Sequence, residues 1–213
     1  MSLFDDKVKK QLTELFSKLK NNVSVVYFTQ EIECSLCADN HAFLEEITGL
    51  SDKLSLTVYD FQKEKELADR YQVDKIPATV LLDSDKNDTG IKFYGIPAGY
   101  EINSFVKALT EVSGDREELP AEIHSRIAQI DKDVHLQVFV TLTCPYCPGA
   151  VMVAHRLALE NKRIKADMVE SSAFQHLALK YDISSVPKTI INEKHEIMGA
   201  QPIDAFLDEI EKL

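Results

Sequence analysis

The chain is short of positive charge, of long apolar runs and of surplus cysteine. Its 24 Lys and Arg face 35 Asp and Glu, a net charge of −11. That balance argues against DNA, RNA or an anionic membrane as the main partner. The acids are spread along the chain, the pattern of a solvated surface. No apolar run approaches the roughly 20 residues needed to span a bilayer. The first residues, MSLFDDKVKKQL, carry neither an apolar core nor a small-residue cleavage site, which points to the cytoplasm. Glycine and proline number only seven each, too few for a low-complexity or collagen-like chain. At 213 residues, with 45% hydrophobic content, the chain is sized for one large domain or two small ones.

The four cysteines leave none over. They form two CxxC pairs, Cys34 and Cys37 in CSLC and Cys144 and Cys147 in CPYC. In a reducing cytosol such cysteines are more often catalytic or metal-binding than structural. A redox pair, a metal site and a structural staple all begin from this spacing.

The surrounding pattern repeats. Val8, Leu12, Leu15, Phe16 and Leu19 fall on one helical face. VSVVYFT (23–29) reads as a buried strand, and a helix runs on from the Cys34 pair. A strand at 54–60, a helix at 64–71, a hairpin of 78–82 with 90–95 and a helix at 102–112 complete the first set. After a linker at 113–120 comes a helix at 121–130, and the same order starts again. Cys34 and Pro77 are 43 residues apart, as are Cys144 and Pro187. At the shared offset of 110, Tyr71 matches Tyr181, Val73 matches Ile183 and Thr79 matches Thr189. Two copies of one β-α-β-α-β-β-α unit are expected, over 1–115 and 116–213, each a sheet flanked by helices.

In each copy the CxxC follows a strand and opens a helix. Cysteines three apart there share a face at disulfide range. With the first cysteine near the N-cap, free N–H groups and the helix dipole favour a thiolate. Pro145 then suits the first helical position. Pro148, near the fourth, would bend the helix start. Pro77 and Pro187 each stand between a helix and a strand. They are either plain strand-entry prolines or cis-proline loops held against the cysteines, with backbone free to pair with an extended client.

CxxC at a helix start, followed by IP (76–77) or VP (186–187) before a hairpin, resembles the thioredoxin superfamily. CPYC is similar to the glutaredoxin motif. Two such units in one chain resemble the protein disulfide oxidoreductases, or glutaredoxin-like proteins, of thermophilic archaea and bacteria. The resemblance implies that Cys144 attacks and Cys147 resolves, with Cys34 and Cys37 in the same roles in the first unit. It implies cis bonds before Pro77 and Pro187, with Ile76, Val186 and Tyr146 beside the client. No cofactor is implied beyond the cysteines, with electrons from an external thiol or a thioredoxin-reductase-like flavoprotein. The expected clients are disulfide-containing proteins. The chain departs from thioredoxin in having no tryptophan before either pair and no buried acid in the preceding strands. The layout also resembles the N-terminal part of the flavoprotein that reduces bacterial peroxiredoxins. The alternative function is therefore a relay between a flavoprotein reductase and a peroxiredoxin, with the first pair vestigial.

Zinc would need the two pairs, in separate repeats, to converge on one ion. A structural Cys34–Cys37 staple would close a very short loop, where a cross-link gains least. His41 and His155 read as surface or packing residues. Glu31 and Glu33 beside Cys34 disfavour its thiolate, and Lys188, after Pro187, is expected to favour that of Cys144 if it reaches the site. The helices ahead of the first strand of each copy are expected to cover sheet edges.

Overall fold

The computed structural model describes residues 3–213. The first copy contains α1 (Asp6–Phe16), β1 (Val23–Thr29), α2 (Cys37–Thr48), β2 (Leu54–Asp60), α3 (Lys65–Arg70), β3 (Ala78–Leu82), β4 (Asp88–Tyr94) and α4 (Ile102–Val112). The second contains α5 (Ala121–Ala128), β5 (Val134–Val140), α6 (Cys147–Glu160), β6 (Ile164–Glu170), α7 (Gln175–Lys180), β7 (Lys188–Ile191), β8 (His195–Met198) and α8 (Ile203–Ile210). The two α/β units expected from the repeat are present, and the thioredoxin-like order of elements that the resemblance implied runs through both. Among the described residues, no helix is long and apolar enough to cross a membrane.

The strands form one sheet in the order β2-β1-β3-β4-β6-β5-β7-β8. Within each copy, β1 with β2 and β5 with β6 are parallel, and the remaining neighbours are antiparallel. The copies meet where β4 pairs in parallel with β6, from Ile91 opposite Ala166 to Tyr94 opposite Val169. An edge strand presents unpaired N–H and C=O groups, and here each copy satisfies the other's. The leading helices α1 and α5 do not cover the sheet edges. Instead their Leu12, Phe16, Ile123 and Ile127 lie in the core on one sheet face.

Alternation along the strands separates two apolar layers. Val25, Tyr27, Phe93, Leu136 and Val138 face the layer of α2, α4 and α6. Val26, Phe28, Tyr94, Phe139 and Ile190 face the layer of α3 and α7. Phe93 packs edge-on against Phe105 of α4 at 5.1 Å and against His155 of α6 at 4.7 Å, which ties the copies together across the seam. His155 is buried there, and burial pushes its pKa down to about 3, so it stays neutral.

The repeat is not uniform. The offset of 110 holds for β2 with β6 and α3 with α7, whereas β1 and β5 begin 111 residues apart. The loop before the first cysteine pair thus holds one more residue than its counterpart. Glu33 in that loop takes a φ of 61°.

Candidate active site

Both cysteine pairs are disulfides, with Cα separations of 5.4 Å for Cys34–Cys37 and 5.5 Å for Cys144–Cys147. Each pair closes on itself, so the four cysteines do not form one centre. In both copies the helix starts at the second cysteine, not the first. This corrects the expected placement of the prolines. Pro145 precedes the helix, and Pro148 stands in its opening positions, where no N–H is required. Pro148 therefore does not bend the helix.

The helix start still serves the sulfur. The Cys147 N–H points at Cys144 Sγ across 3.1 Å, one of the unpaired donors of the first turn. At the first pair, the Cys37 N–H goes to the Cys34 carbonyl at 3.3 Å instead. Cys147 is fully buried and Cys144 is 9% exposed, so the first cysteine is the one that a client can reach. Cys34 is half-buried and Cys37 buried. Tyr27 donates from its hydroxyl to the Cys37 carbonyl at 2.8 Å, and His41 stacks on the Tyr27 ring.

The peptide bonds Ile76–Pro77 and Val186–Pro187 are cis. The Val186 carbonyl oxygen lies 3.8 Å from Cys144 Sγ, which sets this loop directly against the second pair. Ile76 and Val186 are half-buried, and Tyr146 is 73% exposed beside its cysteines. Lys188 does not reach the site. Its place in β7 turns it to the sheet face opposite α6, where its ammonium meets the Tyr181 and Asp182 carbonyls and, at 2.7 Å, Glu196. It adds no charge beside Cys144.

A groove of about 480 Å³ lies between the first CxxC and the loop that leads into the second. One wall is Ser35 and Leu36, inside the first CxxC, and the other is 141–143, leading into the second. Ile96 and Ala173 form part of its lining.

Sequence reading missed Glu101. It ends a single 3-10 turn (99–101) that packs on α6 and on the loop before Cys144. Tyr100 N–H donates to the Leu142 carbonyl at 3.0 Å. Glu101 is fully buried, one carboxyl oxygen accepts from Ser104, and the other has no hydrogen-bond partner. Burial pushes its pKa up to about 7, with the Ser104 hydrogen bond opposing. The first copy thus places a buried acid in the turn that packs on α6 and on the loop before Cys144. Gly99 makes this docking feasible. It holds φ at +59°, and a Cβ there would collide with the Leu142 carbonyl oxygen. Gly99→Ala is expected to destabilise the protein by about 1–3 kcal/mol. It should also lower turnover through Cys144 while leaving Cys34 alkylation unchanged. An unaltered melting temperature and unaltered turnover would show that the turn does not brace the loop.

A thioredoxin-domain family model matches residues 134–212. A solved structure of the alkylhydroperoxide reductase component AhpF from Enterococcus faecalis is 32% identical over 98% of this chain and 100% of that one, with a TM-score of 0.93. The chain belongs to the tandem thioredoxin-fold family. A protein disulfide oxidoreductase from Aeropyrum pernix is 26% identical over 97% of this chain and 92% of that one, with a TM-score of 0.89. An alkyl hydroperoxide reductase component from Staphylococcus aureus is 28% identical over 95% of the chain. The chain spans 37% of the length of that curated relative. Two CxxC pairs on tandem thioredoxin folds are the apparatus of thiol–disulfide exchange.

Proposed function

We propose that the chain is a protein dithiol–disulfide oxidoreductase in which both cysteine pairs serve one client groove. The observation that carries this is the groove itself, lined by Ser35 and Leu36 of the first CxxC and by 141–143, the loop leading into the second. In the reducing direction, the Cys144 thiolate attacks one sulfur of a client disulfide. A mixed disulfide forms and one client thiolate leaves. Cys147 gives up its proton and attacks Cys144 Sγ, which releases the second client thiol. The client gains two electrons and the Cys144–Cys147 disulfide is left. We assign the Cys147 proton to Glu101, the buried acid in the turn that packs on α6. An external thiol or a thioredoxin-reductase-like flavoprotein restores the dithiol, so no bound cofactor is needed. Val186, Pro187 and Tyr146 line the second pair's client contact, and Ile76 and Pro77 hold the matching place at Cys34 and Cys37. The division of the chain into 1–115 and 116–213, and a cytoplasmic setting, belong to the same proposal.

Dithiothreitol-driven reduction of a protein disulfide tests the activity. Shuffling a wrong disulfide needs a reduction and a reoxidation, so isomerisation should fall when either pair is changed to serine. A second reading is favoured by the likeness to AhpF: electrons pass from a flavoprotein to a peroxiredoxin through the second pair alone. Under that reading the Cys34→Ser/Cys37→Ser chain keeps full turnover.

The two attacking cysteines should differ. Cys144 has a helix N–H on its sulfur and an uncharged approach, TLT; Cys34 lacks that N–H contact and follows QEIE. Cys144 is expected to alkylate faster than Cys34 near pH 6, each measured in the reduced chain with the other three cysteines changed to serine. The Glu31→Gln/Glu33→Gln control should narrow the gap. Equal rates, or no response to the control, would remove local charge as the cause.

A further inference from the structure

The sheet ends in two edge strands, β2 and β8, and they are finished differently. β8 is four residues long and carries His195 and Glu196, with Lys194 just before it. Short length and charge are common means of keeping an edge from pairing. β2 has neither. It runs for seven residues, LSLTVYD, in unbroken register with β1, with no proline and no charge before Asp60. Helix α1 packs on the sheet face and leaves this edge open.

The repeat shows what such an edge can take. At the offset of 110, β2 corresponds to β6, the strand on which β4 docks. There the seam leaves Ala166 and Met168 fully buried. Their counterparts on β2 are Leu56, half-buried, and Val58, 38% exposed. Both line a groove of about 470 Å³ between β2 and α2, with His41, Glu45 and Thr48 on the helix side. Apolar positions that are covered in the second copy are therefore open in the first.

The backbone selects the partner. The Lys53 carbonyl accepts from the Val23 N–H, and the Phe61 N–H donates to the Thr29 carbonyl. Odd-numbered residues of β2 thus turn their peptide groups to β1, and even-numbered residues turn theirs outward. Two outward groups are already used: the Leu54 N–H donates to the Ser51 carbonyl, and the Asp60 carbonyl accepts from the Glu64 N–H. The Leu54 carbonyl, both groups of Leu56 and of Val58, and the Asp60 N–H have no partner among the described residues. This set is its own complement. In an antiparallel pairing centred on Thr57, Leu56 exchanges both bonds with the partner's Val58, and the Asp60 N–H meets the partner's Leu54 carbonyl. The two groups already used fall opposite each other. A register shift of two residues either way sets an open group against a used one.

We propose that the chain forms a two-fold dimer in which β2 pairs antiparallel with β2 of a second copy, so that one sheet runs through both chains. The contact is isologous and closes on itself, which consumes the unguarded edge and leaves only the guarded β8 edges at the ends. Leu56 and the partner's Val58 become an apolar cross-strand pair on the α2 face, and the two Thr57 side chains meet on the axis on the other face. The cysteine pair follows the C-terminal end of β1, which is parallel to β2. Antiparallel pairing therefore points the two client grooves in opposite directions and blocks neither.

Light scattering on the intact chain at micromolar concentration tests this. It should return twice the chain mass of 24.0 kDa. Thr57 is exposed, so its replacement leaves the fold intact. Thr57→Lys sets like charges together on the axis and should weaken the dimer at least about tenfold, as should Thr57→Glu. An equimolar mixture of the two variants should recover the doubled mass, because opposite charges then meet. Val58→Pro removes only an outward N–H and should also weaken the dimer. Met198→Lys, on the β8 edge, should leave the mass unchanged. A monomer in the parent chain overturns the proposal. So does a dimer that survives Thr57→Lys, a mixture of the two charge variants that stays monomeric, or a dimer that Met198→Lys dissolves.

Discussion

Cys144→Ser is expected to lower dithiothreitol-driven reduction of a protein disulfide on the order of a hundredfold or more, because it removes the attacking thiolate. Cys147→Ser should fail differently. Cys144 can still attack, but nothing resolves the product, so covalent client–protein adducts accumulate and dissolve only when excess thiol is added. The structural basis is the division of exposure within the pair. Cys144 reaches solvent at 9% and receives the Cys147 N–H, whereas Cys147 is fully buried. The pair cannot exchange roles without unpacking the start of α6. Adducts are counted on non-reducing gels and by mass. Full turnover in Cys144→Ser would sink the assignment, and adducts formed equally by both variants would sink the order of attack.

The parts of the molecule legible in sequence are those governed by local pattern. Buried β-branched runs such as VHLQVFV gave the strands, CxxC gave the helix starts to within three residues, and the common distance from cysteine to proline gave the repeat. What was not legible depends on tertiary docking. The β4–β6 seam joins strands whose mid-positions, Lys92 and Asp167, read as surface charge until the partner strand buries them. The direction of Lys188 was within reach. Period-2 alternation puts Lys188 with Ile190, in the layer of α7, and Thr189 with Ile191, toward α6. The one-residue difference between the loops before the two pairs was also readable, since QEIE is one residue longer than TLT. Glu101 was not. A glutamate just before a helix ordinarily reads as a solvated acid favoured by the helix dipole. Only the docking of Gly99 and Tyr100 on the Leu142 carbonyl takes it out of water.

Glu101→Gln should therefore move stability and catalysis in opposite directions. The glutamate's pKa lies near 7 in the folded protein and near 4.5 when unfolded. Between these values the folded chain keeps a proton that the unfolded chain has released. Native stability is then greatest below about pH 4.5, falls as pH rises toward 7, and stays lower above. The difference corresponds to about 3 kcal/mol, as an order of magnitude. Glutamine carries no such loss, so Glu101→Gln should melt higher than the parent at pH 8, at about 2–4 °C per kcal/mol gained, with little difference at pH 4. Catalysis should lose what stability gains. Glutamine cannot accept the proton that Cys147 must shed, so release of the mixed disulfide should slow roughly tenfold to a hundredfold at pH 7. The loss should shrink at high pH, where hydroxide and buffer take the proton directly. Formation of the mixed disulfide by Cys144 should be unaffected, which separates a proton acceptor from a general packing defect. Stopped-flow quenching of adducts across pH 5 to 9, alongside melting curves at pH 4 and 8, reads both effects. A variant that resolves adducts at the parent rate at pH 7 would leave Glu101 a buried acid with no part in the exchange, and a parent-like melting temperature at pH 8 would remove the burial cost.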